Sequence, residues 1–446
     1  MKFGFVDEKN MSLLTDLYEL TMAQAYFDHR MNGRAVFDFF ARHTKKRSYL
    51  VSAGLEQLLY YLESLRFEPE EIDFLRQTGR FSSDFLDYLT TFRFTGDVYA
   101  VEEGEILFEN EPFVRVEAPL IEAQIIETFL INTMQISILV ATKALRCHSV
   151  AKGTGLVDFG LRRAHGTDAG MKAARSAYIG GFIGTSNVLA GKEFGLPIFG
   201  TMAHSFILAH DTEESAFEHF ARSYPDNTIL LVDTFDTIEG VRDAVKTVRK
   251  LGMKTFKGVR LDSGDILTLS KAARKILDDA GYNDAMVLVS GGLNEYKIKD
   301  LLERGAPIDA WGVGTELVVS ADSPYLDCAY KLVEYEGRPK MKFSPGKLTL
   351  PAKKQIFREY RDGKIHKDTI ALHNEDMRGT PLLRHCMSGG KTIVPIPSLE
   401  VIRDQTLRNF EQLPEELKVL ESKERFKPAI SEKLSALLEA MEKSTH

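Results

Sequence analysis

The middle of the chain alternates short apolar runs with amphipathic stretches. Runs at 156–159, 198–200, 229–232, 256–261, 286–289 and 310–313 are each followed by mixed sequence, most of it of helical period. Val241, Val245, Val248 and Leu251 mark one helix face, and Leu267, Leu269, Ala273, Ile276 and Leu277 another. Continuous apolar runs suit strands covered by helices on both faces, and strand–helix units about 30 residues apart predict a parallel sheet. Counting 329–334 as a last strand, about seven units are expected. That number suits an α/β barrel better than a small doubly wound sheet.

The flanks read differently. Leu13, Leu17, Leu20, Ala23 and Phe27 keep helical spacing, as do Leu55, Leu58, Leu59 and Leu62, while 35–41, 96–101 and 113–118 have strand character. After Glu334 the rhythm is lost. Residues 337–346 are basic and turn-rich, Gly363 and Gly379 suggest turns, and 413–444 reads as two charged helices divided near Pro428. The expected organisation is an α+β domain at 1–120, the α/β barrel at 121–335, and a segment 336–446 that packs back on the first domain.

Composition changes the picture only by exclusion. The 446 residues are 44% hydrophobic and 27% charged, with a net charge of −7, which excludes a disordered chain and a protein that grips nucleic acid over its whole surface. Three cysteines, Cys147, Cys328 and Cys386, form no C-x-x-C pair and no disulfide framework. The greasiest stretch, 120–141, is interrupted by Glu122, Gln124, Glu127, Asn132 and Gln135, so it predicts a buried helix and not a bilayer span. Asp7, Glu8 and Asn10 stand where a signal peptide needs an apolar core. A soluble, cytoplasmic protein is the expectation.

In parallel α/β folds the chemistry gathers where strands end and helices begin. Ser290-Gly291-Gly292 and Gly312-Val313-Gly314-Thr315 close consecutive runs and read as one phosphate cup of bare amides, or simply as tight turns. Asp233, Asp262 and Asp265 could hold Mg²⁺ or sugar hydroxyls, with helix capping the alternative, above all for Asp265. Arg162 and Arg163 are placed for an acid or phosphate, or for a structural carboxylate. His204 follows another strand end, where a structural role competes with chemistry. No P-loop, zinc motif or early G-x-G-x-x-G is present. The run 230–237 lacks the glycine-bearing phosphate loop of type I phosphoribosyltransferases.

With these motifs in order, the chain resembles the nicotinate phosphoribosyltransferases, a type II phosphoribosyltransferase family. The resemblance runs from Asp16-Leu17-Tyr18-Glu19-Leu20-Thr21-Met22 to Ser344-Pro345-Gly346-Lys347. Between them lie Phe159-Gly160-Leu161-Arg162-Arg163-Ala164, Gly180-Gly181-Phe182, Thr185-Ser186-Asn187, Gly200-Thr201-Met202-Ala203-His204-Ser205 and Val259-Arg260-Leu261-Asp262-Ser263-Gly264-Asp265.

The resemblance implies a split α+β domain built from both chain ends, joined to an irregular α/β barrel, in a homodimer. It implies transfer from 5-phosphoribosyl-1-pyrophosphate (PRPP) to nicotinate, giving nicotinate mononucleotide and pyrophosphate, with ATP as co-substrate and Mg²⁺ as cofactor. It places nicotinate contacts at Tyr18, Thr201, Arg260 and Thr315, and a phosphohistidine at His204. Phosphoribosyl contacts fall on Arg162, Arg163, Ser290, Gly291, Gly292, Gly312 and Gly314. Asp262 is the candidate catalytic carboxylate and, with Asp233, the candidate metal ligand. The rival readings are a nicotinamide enzyme, disfavoured by the Leu-Thr-Met continuation after Tyr18-Glu19, a quinolinate enzyme, and a non-catalytic barrel that binds phosphorylated ligands. Nucleic-acid and membrane partners are not expected.

Overall fold

The computed structural model describes residues 6–43, 46–342 and 349–444; the 344–347 motif lies outside them. The chain forms two compact units, Met1–Leu139 with Tyr325–His446, and Val140–Pro324.

In the first unit the strand Arg34–His43 lies between Asp327–Tyr335 and Pro112–Pro119, antiparallel to both, within a seven-stranded sheet. Ala35, Phe37, Phe39 and Ala41 are buried on one face, while Val36, Asp38 and Phe40 are buried on the other. The 329–334 run, expected as a last parallel strand, belongs to this antiparallel sheet instead. A short apolar run carries no record of which strand it will pair with.

The tail is richer in strands than its pattern predicts. Lys354–Arg361 and Lys364–Leu372 form a hairpin across Asp362-Gly363, both with positive φ, the turn chemistry that suits strand twist. Leu383–Ser388 pairs with Asp97–Val101. The two expected C-terminal helices are reduced to Glu415–Lys418 and Glu432–Ser444, preceded by Leu399–Glu411.

The expected apolar helix is two pieces, Leu120–Ile125 and Glu127–Val150. The second is long and apolar enough to cross a membrane, but 67% of its apolar window is buried inside the protein, as in a core helix. Tyr61 stacks on its Phe129 at 3.7 Å between ring centroids.

Glu19, beside Tyr18, is fully buried; its carboxylate accepts the Thr128 N–H at 2.9 Å and the Thr15 and Thr128 hydroxyls. Burial outweighs these bonds and pushes its carboxyl up to about 7. The folded protein therefore holds this proton over a range, from near pH 4.5 to near 7, in which the unfolded chain has lost it. The associated stability is present in full below that range and lost as pH rises through it. Glu19→Gln should therefore melt progressively higher relative to the wild type as pH rises from about 4.5 to 8; parallel melting curves across pH would refute this.

The second unit carries six parallel strands: β1 (Gly155–Asp158), β2 (Gly184–Thr185), β3 (Ile229–Leu231), β4 (Gly258–Leu261), β5 (Met286–Ser290) and β6 (Ala310–Val313). They are ordered β2-β1-β6-β5-β4-β3. The expected strand at 198–200 is reduced to an isolated bridge between Ile198 and Thr185, and β2 replaces it because Gly184 and Thr185 carry too little apolar pattern to announce themselves. Six strands, against about seven expected, pair among the described residues. Helices Thr237–Lys250, Ile266–Asp279 and Glu295–Glu303 connect β3 through β6; Val241, Ala244, Val245 and Val248 are the buried face of the first.

Candidate active site at the strand ends of the second unit

Strand alternation explains the central side chain. Val259 and Leu261 of β4 are fully buried, so Arg260 between them projects to the opposite side. Its Nη1 donates to the Thr201 hydroxyl, and its Nε is buried without a partner. Among the described residues no carboxylate comes within ion-pair distance of this guanidinium. Burial pulls it below the usual arginine range; Asp262 and Asp233 oppose that shift, and Arg162 adds to it. A half-buried cation with a buried, unpartnered Nε and a second cation nearby is a seat for an anion.

The next strand ends form a connected hydrogen-bond chain. Asp233, after β3, lies with one carboxylate oxygen 3.3 Å from His204 Nε2; the other accepts the Asp262 N–H at 2.9 Å and the Ser263 hydroxyl at 2.6 Å. Asp262, after β4, accepts the Ser290 hydroxyl on one oxygen, and the other has no hydrogen bond among the described residues. Gly291 follows at φ +93°, where a Cβ would lie 2.0 Å from the Asp262 carbonyl oxygen, so glycine is required for this close approach. The Gly292 carbonyl accepts from Lys297 Nζ at 2.6 Å.

The remaining expected residues are placed as follows. Gly312 is inside β6, where a Cβ would meet the Phe159 ring at 2.3 Å, so its geometry is that of strand packing and not of a turn. Gly314 sits at the N-cap of the one-turn helix Thr315–Val318, next to Phe159 and Gly160, and Thr315 is exposed. Arg162 and Arg163 lie exposed on the turn Leu161–Arg163, with no side-chain partner among the described residues. Asp265 occupies the N-cap of Ile266–Asp279 and accepts the Thr268 hydroxyl at 2.6 Å. Tyr18 is in the first unit, on Leu17–Asp28, and is 44% exposed.

Two residues escaped the sequence reading. Asp158, buried at the end of β1, accepts the Gly160 N–H at 2.8 Å and the Thr185 hydroxyl at 2.7 Å, and so anchors the loop that carries Arg162 and Arg163. Its place at a strand end was the available signal. Glu213 had none: burial, then Asp243, Asp233 and Asp236, push its carboxyl up to about 7, and those neighbours meet only in the fold.

Among the described residues no three His, Cys, Asp or Glu side chains cluster as a metal site. Asp233 is engaged on both oxygens, whereas one Asp262 oxygen accepts no hydrogen bond among the described residues and could hold a cation.

Two family models match the chain: the nicotinate phosphoribosyltransferase N-terminal domain over residues 13–135, and the nicotinate phosphoribosyltransferase family over 154–348. The chain belongs to the nicotinate phosphoribosyltransferase family. It is 48% identical over 413 residues to a Mycobacterium tuberculosis nicotinate phosphoribosyltransferase, covering 92% of this chain and 89% of that protein. A Bacillus subtilis nicotinate phosphoribosyltransferase is 43% identical, with 86% and 80% covered. The crystal structure of human nicotinic acid phosphoribosyltransferase superposes with a TM-score of 0.86 at 27% identity, covering 96% of this chain and 99% of that one. For a member of the nicotinate phosphoribosyltransferases, the bare Arg260 and the Asp262–Ser290–Gly291 loop pair are the features to explain.

Proposed function

We propose that the protein is an ATP-dependent nicotinate phosphoribosyltransferase of NAD biosynthesis, acting as a homodimer in the cytoplasm. It forms nicotinate mononucleotide and pyrophosphate from nicotinate and PRPP. The observation that carries this reading is Arg260: a half-buried guanidinium, held by Thr201 and, among the described residues, lacking a carboxylate partner, matches the carboxylate of nicotinate. Nicotinamide offers no charge to such a group, which is why the acid is preferred over the amide.

Transfer develops oxocarbenium character at the anomeric carbon of the ribose. The chain's task is to align the pyridine nitrogen behind that carbon and to spread the charge of the departing pyrophosphate. Arg260 fixes the carboxylate, and with it the direction of the ring nitrogen; the exposed Tyr18 ring is assigned the stacking role. The Gly291-Gly292 amides and the exposed Arg162 and Arg163 suit the phosphates. Mg²⁺, when bound with PRPP, supplies Lewis-acid charge on the leaving group, and Asp262 would hold it.

His204 is read as the phosphoryl acceptor from ATP. With Nε2–H donated to Asp233, the imidazole lone pair is on Nδ1, the nitrogen free to attack. Asp233 also accepts the Asp262 N–H and the Ser263 hydroxyl, so a phosphate on His204 would be felt through one shared carboxylate at the Asp262–Ser290 pair.

Equimolar nicotinate and nicotinamide, supplied with PRPP, ATP and Mg²⁺, should yield nicotinate mononucleotide in excess of about 100-fold, the discrimination expected when one substrate leaves a buried charge unpaired. Comparable yields of the two mononucleotides, or no mononucleotide at all, would overturn the reading.

A further inference from the structure

The second unit buries a cluster of charges that the transfer chemistry above does not use. Lys143 and Arg146, on Glu127–Val150, are 1% and 2% exposed in their side chains, and Glu295 is fully buried. Lys143 Nζ lies 2.6 Å from Glu295 Oε2 and 2.8 Å from Asp322 Oδ1. Arg146 Nε donates to Glu295 Oε1 at 3.0 Å, and its Nη2 to the Tyr296 hydroxyl at 3.1 Å.

Such a cluster is a poor source of stability. Each ion gives up its water, and apolar residues of similar volume commonly serve a core as well or better. What the charges supply is direction, because an ammonium and a planar guanidinium both need acceptors at defined places. Here the acceptors belong to the segments that leave two paired strands, β5 and β6. Glu295 opens the helix Glu295–Glu303 shortly after the Gly291-Gly292 amides. Asp322 follows the helix Thr315–Val318, whose N-cap is Gly314 at the end of β6. Lys297 returns from the first of these helices to the Gly292 carbonyl at 2.6 Å. One helical turn thus grips the glycine loop through Lys297 and the buried cluster through Glu295.

We propose that Lys143 and Arg146 are positioning residues for the phosphoribosyl site, holding the Gly291-Gly292 loop in register with the segment that follows β6. The inference rests on the reading of Gly291-Gly292 as a phosphate contact. Buried as they are, neither cation meets substrate; both act on the loop through Glu295. Lys143 alone bridges Glu295 and Asp322, so its loss releases one segment from the other, while Arg260 on β4 keeps its own partner, Thr201.

Steady-state kinetics of the full chain with ATP and Mg²⁺, with PRPP and nicotinate varied in turn, tests this. Lys143→Met should raise KM for PRPP by about tenfold and that for nicotinate by less than about twofold, a split that a general loss of packing does not produce. If that variant does not fold, Lys143→Met combined with Asp322→Asn carries the test, because the remaining Arg146–Glu295 pair is neutral. Gly292→Ala, whose added methyl meets only the flexible end of Lys297, gauges the underlying reading. An unchanged KM for PRPP in Gly292→Ala would remove the phosphate assignment, and the inference with it. A raised KM there beside an unchanged one in the Lys143 variant, equal rises in both KM values, or failure of both Lys143 variants to fold would overturn the inference alone.

Discussion

Arg260→Ala should lower kcat/KM for nicotinate by about 100- to 1000-fold, most of it as a rise in KM. Truncating one side of a buried, charge-assisted hydrogen bond costs about 3–4 kcal/mol, because the substrate carboxylate is then desolvated against nothing. Here the loss has little to buffer it. Among the described residues Arg260 is held only through Thr201, and Arg162 lies on an exposed turn. Arg260→Lys should fall between, since a point charge cannot reproduce the planar fork. Steady-state kinetics with nicotinate varied at saturating PRPP measures the effect, and an unchanged KM in the alanine variant would remove the assignment.

His204→Ala should reduce ATP hydrolysis by at least about 100-fold and abolish ATP stimulation, while slow ATP-independent transfer survives, as expected when the nucleophile is lost but the substrate groups stay in place. Asp233→Asn should be broader in effect. The same carboxylate holds the imidazole on one oxygen and the Asp262-Ser263 turn on the other, so coupled and uncoupled transfer should both decline. Labelling with radioactive ATP followed by acid and base treatment reads the intermediate directly, since phosphohistidine is acid-labile and base-stable. A stable label on a hydroxyl, or ATP coupling that survives His204→Ala, would assign the step elsewhere.

Much of the candidate site was readable before folding. Arg260 stands between Val259 and Leu261, and that alternation alone places it away from the buried side. Asp233, Asp262, Ser290 and Gly291 each follow an apolar run, which marks them as strand-end residues. Other readings failed where local pattern is ambiguous. Gly312 reads as a turn glycine beside Gly314, yet it lies within β6, where its missing side chain makes room for Phe159. The 329–334 run has the composition of a parallel strand but pairs with Arg34–His43, nearly 300 residues earlier. A tail with little rhythm hides a hairpin, because antiparallel strands with polar outer faces lack the continuous apolar runs that betray parallel ones.

By itself, then, the sequence determined the alternation of elements, the strand ends and the residue types available there, because side-chain direction along a strand or helix is a local property of the backbone. Only the tertiary structure decided the partnerships: Asp233 with His204, Asp262 with Ser290, and Arg146 with Glu295 although 149 positions separate them. Those depend on the order in which strands enter a sheet, and an apolar run of four or five residues fits several neighbours almost equally well.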